Sequence, residues 1–253
     1  YRLRKDLERF APDPRRLPGR SEHVRRLEAA AVELSSHVTA ICPTDQEHLR
    51  DEFGCESTLV PNGTSVSDVA LSDRPASTDP YFAFAGSSYW PNVEGFAEIA
   101  DPSLAFLPPT MRIQVAGTVG TEIMKNPSIL RRQSANASRI TLRGFLSMDD
   151  LVRMMSRSLA VLVPVFVGEG SNLKSADALA SGAPVIMTER ATRGYEDVIE
   201  ADSDGITVVR SARDFRSAMR SHVEFAYSEG AGSVQRRSLL RWAPRLSPLI
   251  KLV

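Results

Sequence analysis

The stretch 163-VPVFVGEGSNLKSADALASGAPVI-186 reads as strand, glycine loop, helix, glycine stop, strand. Val161 to Val167 is an apolar, mostly β-branched run, broken by Gly168 and Gly170. Ser171 or Asn172 is placed to cap the helix that follows, which should end near Ser181-Gly182, because Pro184 forbids its continuation. Backbone N–H groups left unpaired at a helix N-terminus carry partial positive charge and attract phosphate or another anion. This loop also carries a carboxylate, Glu169, and the helix a cation, Lys174.

Working outward, strands alternate with helices from Tyr81 to Val209. Strands are expected at Tyr81–Ala85, Met111–Ala116, Ile140–Leu142, Leu159–Val165, Val185–Met187 and Ile206–Val209. Such alternation predicts a Rossmann-like parallel α/β sheet covered by helices on both faces. Before it, a helix after Ser21 with Val24, Leu27, Ala31 and Leu34 on one face leads to a strand at Val38–Cys42. A helix capped by Thr44 and stopped at Gly54 follows, then a short strand at Ser57–Val60. Thr64 to Pro80 shifts to Ser, Asp and Pro, the composition of a connection. The expected division is 1–60, 61–228 and 229–253. The last part follows an amphipathic helix from about Ala212 to Tyr227 and carries Leu239, Trp242, Leu246 and Ile250 to dock on another domain or a membrane surface, the protein being preferred.

Composition bounds the function. The 253 residues have zero net charge, unevenly spread: nine Lys/Arg against four Asp/Glu in residues 1–26, and eight against three in 211–253. Basic ends of this kind suit solvated helix faces or contact with an anionic surface. Cys42 and Cys55 make no disulfide framework and no zinc cluster, and read as reduced packing residues. No apolar run approaches the ~20 residues that span a bilayer, and the first residues are not a signal peptide. The expected location is therefore cytoplasmic, with peripheral contact at the inner face of a membrane as an added reading. The chain begins with Tyr1 and its first Met is Met111, so a fragment is expected.

In an open parallel sheet, ligands bind at the carboxyl ends of the strands. The loops Gly86-Ser87-Ser88, Gly117–Gly120, Arg143–Leu146 and Gly168–Asn172 should converge there. Seven residues separate Glu169 from Asp177. A carboxylate accepts two hydroxyl hydrogen bonds at once, which suits vicinal hydroxyls of a sugar or ribose. One acid could hold each end of an extended donor, with a diphosphate on the helix N-terminus between them and Lys174 neutralising charge on the leaving group. The competing reading makes Glu169 a solvated loop acid, and Lys174 with Asp177 an i,i+3 surface pair worth about 0.2–0.5 kcal/mol.

The spacing Glu169-x7-Asp177 resembles the E-x7-E motif of retaining GT-B glycosyltransferases of the GT4 type (glycosyl transferases group 1). VPNG at Val60–Gly63 is similar to the interdomain hinge of that family, FAGSSYWPN at Phe84–Asn92 to its first donor-domain strand and loop, and ITLRGF at Ile140–Phe145 to its base-binding strand. The resemblance runs from about residue 25 to 210. No G-x-G-x-x-G follows a strand, which disfavours a dinucleotide oxidoreductase.

The resemblance implies the C-terminal donor domain of a GT-B fold with a remnant of the N-terminal, acceptor-side domain. It implies transfer of a hexosyl unit, with retention, from a nucleotide diphosphate sugar to an unknown glycan, lipid or small-molecule acceptor. No obligatory metal and no nucleic-acid partner are implied. Glu169 and Lys174 would act in catalysis. Gly86, Ser87, Arg143, Phe145, Gly168, Gly170, Ser171, Asn172, Leu173 and Asp177 would bind the donor, Asp177 at the ribose and the loop after Arg143 at the base. The second acid is Asp rather than Glu, one methylene shorter. Trp90-Pro91 stands where many relatives place a basic phosphate ligand, which leaves Lys174 as the expected cation. The alternative is a non-catalytic nucleotide-binding or interaction module on the same fold.

Overall fold

The structure, a computed structural model, describes residues 20–66, 79–101, 103–126, 129, 136–168, 171–224 and 234–250. Six strands form one parallel sheet: β3 (Tyr81–Ala85), β4 (Arg112–Ala116), β5 (Ile140–Gly144), β6 (Ala160–Val163), β7 (Val185–Thr188) and β8 (Ile206–Val209). Their order across the sheet is β5-β4-β3-β6-β7-β8. The chain runs outward from β3 to β5, then returns to the other side of β3 and runs outward again. Order therefore reverses between β3 and β6, and a crevice opens at the carboxyl ends of that pair.

Alternation along each strand sends side chains to two separate cores. Phe82, Phe84, Ile113, Val115 and Leu162 face α3 (Trp90–Ala100), α4 (Val119–Ile123) and α8 (Ala212–Glu224), where Phe96, Ile99, Ile123, Phe215 and Met219 meet them. Tyr81, Ala83, Val161, Val163, Val185 and Met187 face α5 (Met148–Ser156), α6 (Leu173–Ala180) and α7 (Glu196–Ala201), through Met155, Ala176, Leu179 and Val198. Both faces are covered, as the continuous apolar strands require.

Ahead of this sheet lie α1 (Arg20–Leu34), β1 (Thr39–Ala40), α2 (Pro43–Phe53) and β2 (Thr58–Leu59), with β1 and β2 paired in parallel. Thr44 is not the cap expected for α2. Cys42, in extended backbone, precedes Pro43 at the first helical position, where a missing N–H costs nothing, and the Thr44 hydroxyl instead lies 3.1 Å from Cys42 Sγ. Gly54 ends the helix in left-handed conformation, as expected. The apolar face expected on α1 is largely solvent-facing, Leu34 being 87% exposed, and α1 is tied to α2 through Arg25 and Glu52.

Strand β6 is shorter than expected because Pro164 has no N–H to continue the ladder. In the other direction β5 reaches Gly144, so Arg143 is a strand residue rather than a loop residue. The tail continues as α9 (Val234–Leu240) and α10 (Trp242–Ile250), with α9 against α6 and α7. Its contact with the sheet domain uses mostly other residues than the four apolar ones named from the sequence. Leu240, Arg236 and Arg245 are buried and Leu239 partly so, while Trp242, Leu246 and Ile250 remain exposed. Arg245 lies over the Tyr195 ring and pairs with Asp197. Both cysteines are free thiols. No helix among the described residues is long and apolar enough to cross a membrane.

Candidate donor-binding site

At the switch point the turns after β3, β4 and β5 are stitched together by their own backbone. Gly86 N–H donates to Ala116 O, Val119 N–H to Gly86 O, and Gly117 N–H to Gly144 O at 2.7 Å. Gly117 has φ +89°, and a Cβ there would stand 2.2 Å from Gly86 O, so only glycine allows the two turns to touch. On the other side, α3 crosses the segment after β6 so closely that a Cβ on Gly95 would lie 1.9 Å from Pro164 O. The carboxyl ends of the two halves of the sheet are held by backbone contact that excludes side chains.

Between them is a cavity of about 300 Å³, lined by Ala85, Gly86, Ser87, Gly117, Phe145, Leu146, Lys174 and Asp177 among others. Of the residues expected in the site, Gly86, Ser87, Phe145, Lys174 and Asp177 meet on it. Arg143, Gly168, Ser171, Asn172 and Leu173 do not line it. Glu169 and Gly170 lie outside the described residues. Phe145 is 88% exposed, an aromatic face standing at the cavity wall. The mouth of α6 adjoins the cavity, and Asn172 caps that helix, its Oδ1 accepting from the Lys174 N–H at 3.3 Å.

Lys174 and Asp177 do not form the i,i+3 surface pair of the competing reading. The Lys174 ammonium turns inward to donate to Asn92 Oδ1 and lies 5.8 Å from the Phe84 ring centroid. Burial pushes its pKa down to about 8. Asp177 instead accepts from Thr64 Oγ1 at 2.6 Å. Burial raises its pKa, and the Thr64 hydroxyl works against that rise. The cavity thus has a desolvated cation and a desolvated carboxylate on one helix face, each held by a neutral side chain from another element.

The remaining supports were not legible in the sequence. Asn92 Nδ2 donates to Ser87 O at 3.0 Å, linking Lys174 to the turn after β3. Asn62 Nδ2 donates to Ser171 Oγ at 2.7 Å, and the Tyr195 hydroxyl donates to Asn172 O at 3.1 Å. Arg190 and Arg193, from the segment after β7, both donate to Gly168 O, at 3.0 and 2.7 Å, at the entrance to the loop that carries Glu169. Asn62 and Asn92 did fall inside the quoted VPNG and WPN segments, but nothing local shows which distant side chain they meet. Among the described residues, no group of His, Cys, Asp and Glu could hold a metal ion.

A doubly wound parallel sheet with a cavity at its switch point, beside a capped helix mouth, is the architecture of the C-terminal half of a GT-B fold. The chain belongs to the glycosyl transferases group 1 family, whose pattern matches residues 79–224. No curated protein sequence matches it significantly. Among solved structures it resembles sucrose-phosphate synthase from Thermosynechococcus elongatus at 18% identity and TM-score 0.71, over 99% of this chain and 65% of that one. It also resembles Anabaena HepE in complex with UDP and glucose, at 13% identity and TM-score 0.66, over 95% and 68%. A variant of S. aureus TarM, in complex with fondaparinux, α-GlcNAc-glycerol and UDP, aligns at 15% identity and TM-score 0.66, over 88% and 45%. The chain spans less than two thirds of the synthase and of TarM. At these identities the likeness is one of fold.

Proposed function

We propose that this chain is the donor-binding part of a retaining hexosyltransferase that takes a nucleoside diphosphate sugar. The observation that carries the reading is the switch-point cavity with Lys174 and Asp177 on one face of α6 and the helix mouth beside them. The presence of UDP with HepE and with TarM supports a nucleoside diphosphate for a chain of this fold. Asp177 accepts ribose hydroxyls, and the turn at Gly86-Ser87 faces the phosphates. Phe145 flanks the base, with Arg143 contributing from β5. The diphosphate rests at the α6 mouth, on the amides of Gly170, Ser171 and Asn172, with Gly168 and Leu173 bounding it.

Lys174 stabilises the charge that appears on the leaving nucleoside diphosphate as the glycosidic C–O bond breaks. A partly desolvated ammonium is suited to this, because the developing charge restores the electrostatic partner that burial removed. Glu169 holds the hexose and favours the geometry in which the sugar carbon accepts the incoming hydroxyl with retention. The reaction needs no metal in this reading. The division into 1–60, 61–228 and 229–253, a cytoplasmic location, and peripheral contact of the basic tail with an anionic membrane belong to the same proposal, and salt-sensitive co-sedimentation with anionic vesicles tests the last.

Calorimetric titration of the whole chain with UDP, GDP and their hexose conjugates tests the site. Binding that is lost or weakened at least tenfold in Glu169→Ala and Asp177→Ala supports it. Absence of binding, or binding indifferent to both substitutions, overturns it.

A further inference from the structure

Thr64 stands 113 residues before Asp177, outside every motif of the donor site, yet it is 6% exposed, and both its hydroxyl and its N–H are hydrogen-bonded. Its hydroxyl accepts from Val66 N–H at 3.1 Å and so has its single proton free to donate, which it does, to Asp177 Oδ1. Its own N–H donates to Leu240 O at 2.7 Å, in a parallel bridge between Thr64 and Arg241. Just before it, Gly63 lies so close to the α9–α10 junction that a Cβ would meet Leu240 O and Trp242 Cα at 3.0 Å. The segment 62–64 is thus fixed from behind by the C-terminal helices and reaches forward into the site at two points, Asn62 on Ser171 and Thr64 on Asp177.

We infer that Thr64 is a positioning residue for the nucleoside end of the site: by bonding to Oδ1 of Asp177 it fixes the direction of the carboxylate, so that Oδ2 is presented to a single ribose hydroxyl. This rests on the donor-site reading above, and it narrows the two-hydroxyl contact that the carboxylate alone would suggest. With one rotatable bond fewer than Glu, the Asp177 side chain stays near the α6 axis, where the Thr64 hydroxyl from the crossing segment reaches it.

The test uses whichever of UDP and GDP binds the whole chain more tightly, together with its 2′-deoxy and 3′-deoxy analogues, titrated between pH 5 and 8. In the unsubstituted chain one deoxy analogue should bind about tenfold more weakly and the other nearly as well as the parent. In Thr64→Val, of equal size, that tenfold ratio should fall to about two. The acid limb of binding should also move to higher pH, because the hydroxyl that favours the ionised carboxyl is gone. Thr64→Ser should restore both. If Thr64→Val does not fold, Thr64→Ala serves for the same two readouts.

Retention of the ratio and the acid limb in Thr64→Val, failure of Thr64→Ser to restore them, or equal penalties for the two deoxy analogues would overturn the inference. Asp177→Asn separates the levels. If neither nucleotide binds, or Asp177→Asn leaves binding unchanged, the donor-site reading itself fails. If Asp177→Asn weakens binding while Thr64→Val does not, only the role of Thr64 is removed.

Discussion

The ammonium of Lys174 and the side-chain carbonyl oxygen of Asn92, 82 residues apart in sequence, meet in one hydrogen bond across the point where the strand order reverses. Asn92 is itself anchored on Ser87, so the cation of one half-sheet is held by the first turn of the other. A neutral amide fixes the direction of the ammonium without neutralising it. That leaves the charge available to a ligand, and burial holds its pKa down.

Nucleotide binding should weaken as pH rises through about 8. The free ammonium has its pKa lowered to about 8 by burial, and a bound diphosphate would raise it again, so binding takes up a proton in that range. Between the acid limb set by Asp177 and about pH 7, affinity for UDP should be nearly constant, and it should fall roughly tenfold per unit well above 8. Titrations in buffers of different ionisation enthalpy should report proton uptake near pH 8. A flat profile to pH 9.5 would show that Lys174 does not face the anion.

Lys174→Met should separate stability from binding. The native state binds fewer protons than the unfolded chain between about 8 and the ordinary 10.5, so this group's contribution to stability rises with pH across that window and is unfavourable below it. Removing the charge should therefore leave the unfolding free energy at pH 7, measured in urea, unchanged or raised by up to about 1–2 kcal/mol after the loss of the Asn92 contact. UDP affinity should fall at least tenfold. Asn92→Asp should instead place an anion beside the ammonium, raise its pKa, move the alkaline limb of binding upward, and weaken UDP at pH 7.

Gly95→Ala should reverse the usual helix rule. In a helix this exchange stabilises by roughly 1 kcal/mol, but here the added Cβ would stand 1.9 Å from the backbone oxygen of Pro164. A loss of about 2–4 kcal/mol in urea unfolding is expected. Gly117→Ala should cost a similar amount, through positive φ together with its approach to Gly86 O. Gly54→Ala has positive φ but nothing within 4 Å, and should cost only about 1 kcal/mol.

Tyr195→Phe should loosen the mouth of α6. Tyr195 is fully buried, and burial is the main reason its pKa is pushed up to about 12, so its hydroxyl remains a donor to Asn172 O at any working pH. Loss of the bond should cost about 1 kcal/mol in stability. Amide exchange should quicken selectively at Ser171 to Lys174, while exchange in β3 and β6 should not change.

The α/β layering, all six strands of the main sheet and the helix of residues 173–180 were legible in the sequence, because each is set by local periodicity, glycine and proline. Errors came where two segments compete for one boundary. Pro164 shortened β6, ladder bonds to β4 extended β5 through Arg143, and Pro43 displaced Thr44 from the cap of α2. In the tail, Leu240 and two arginines are buried, which apolar periodicity does not indicate, since a guanidinium can satisfy backbone carbonyls and Asp197 that an aliphatic chain cannot.

By itself the sequence determined the doubly wound class, the helix mouth after Gly168, and the presence of a carboxylate and a cation within one turn of each other on α6. It could not decide that each takes a different partner. That choice belongs to Asn92 and Thr64, which local patterns leave as ordinary polar residues and which only the closing of the sheet brings within hydrogen-bonding distance. Buried polar groups take the partners that the packed backbone offers, and here those partners come from a crossing segment and a facing helix tens of residues away.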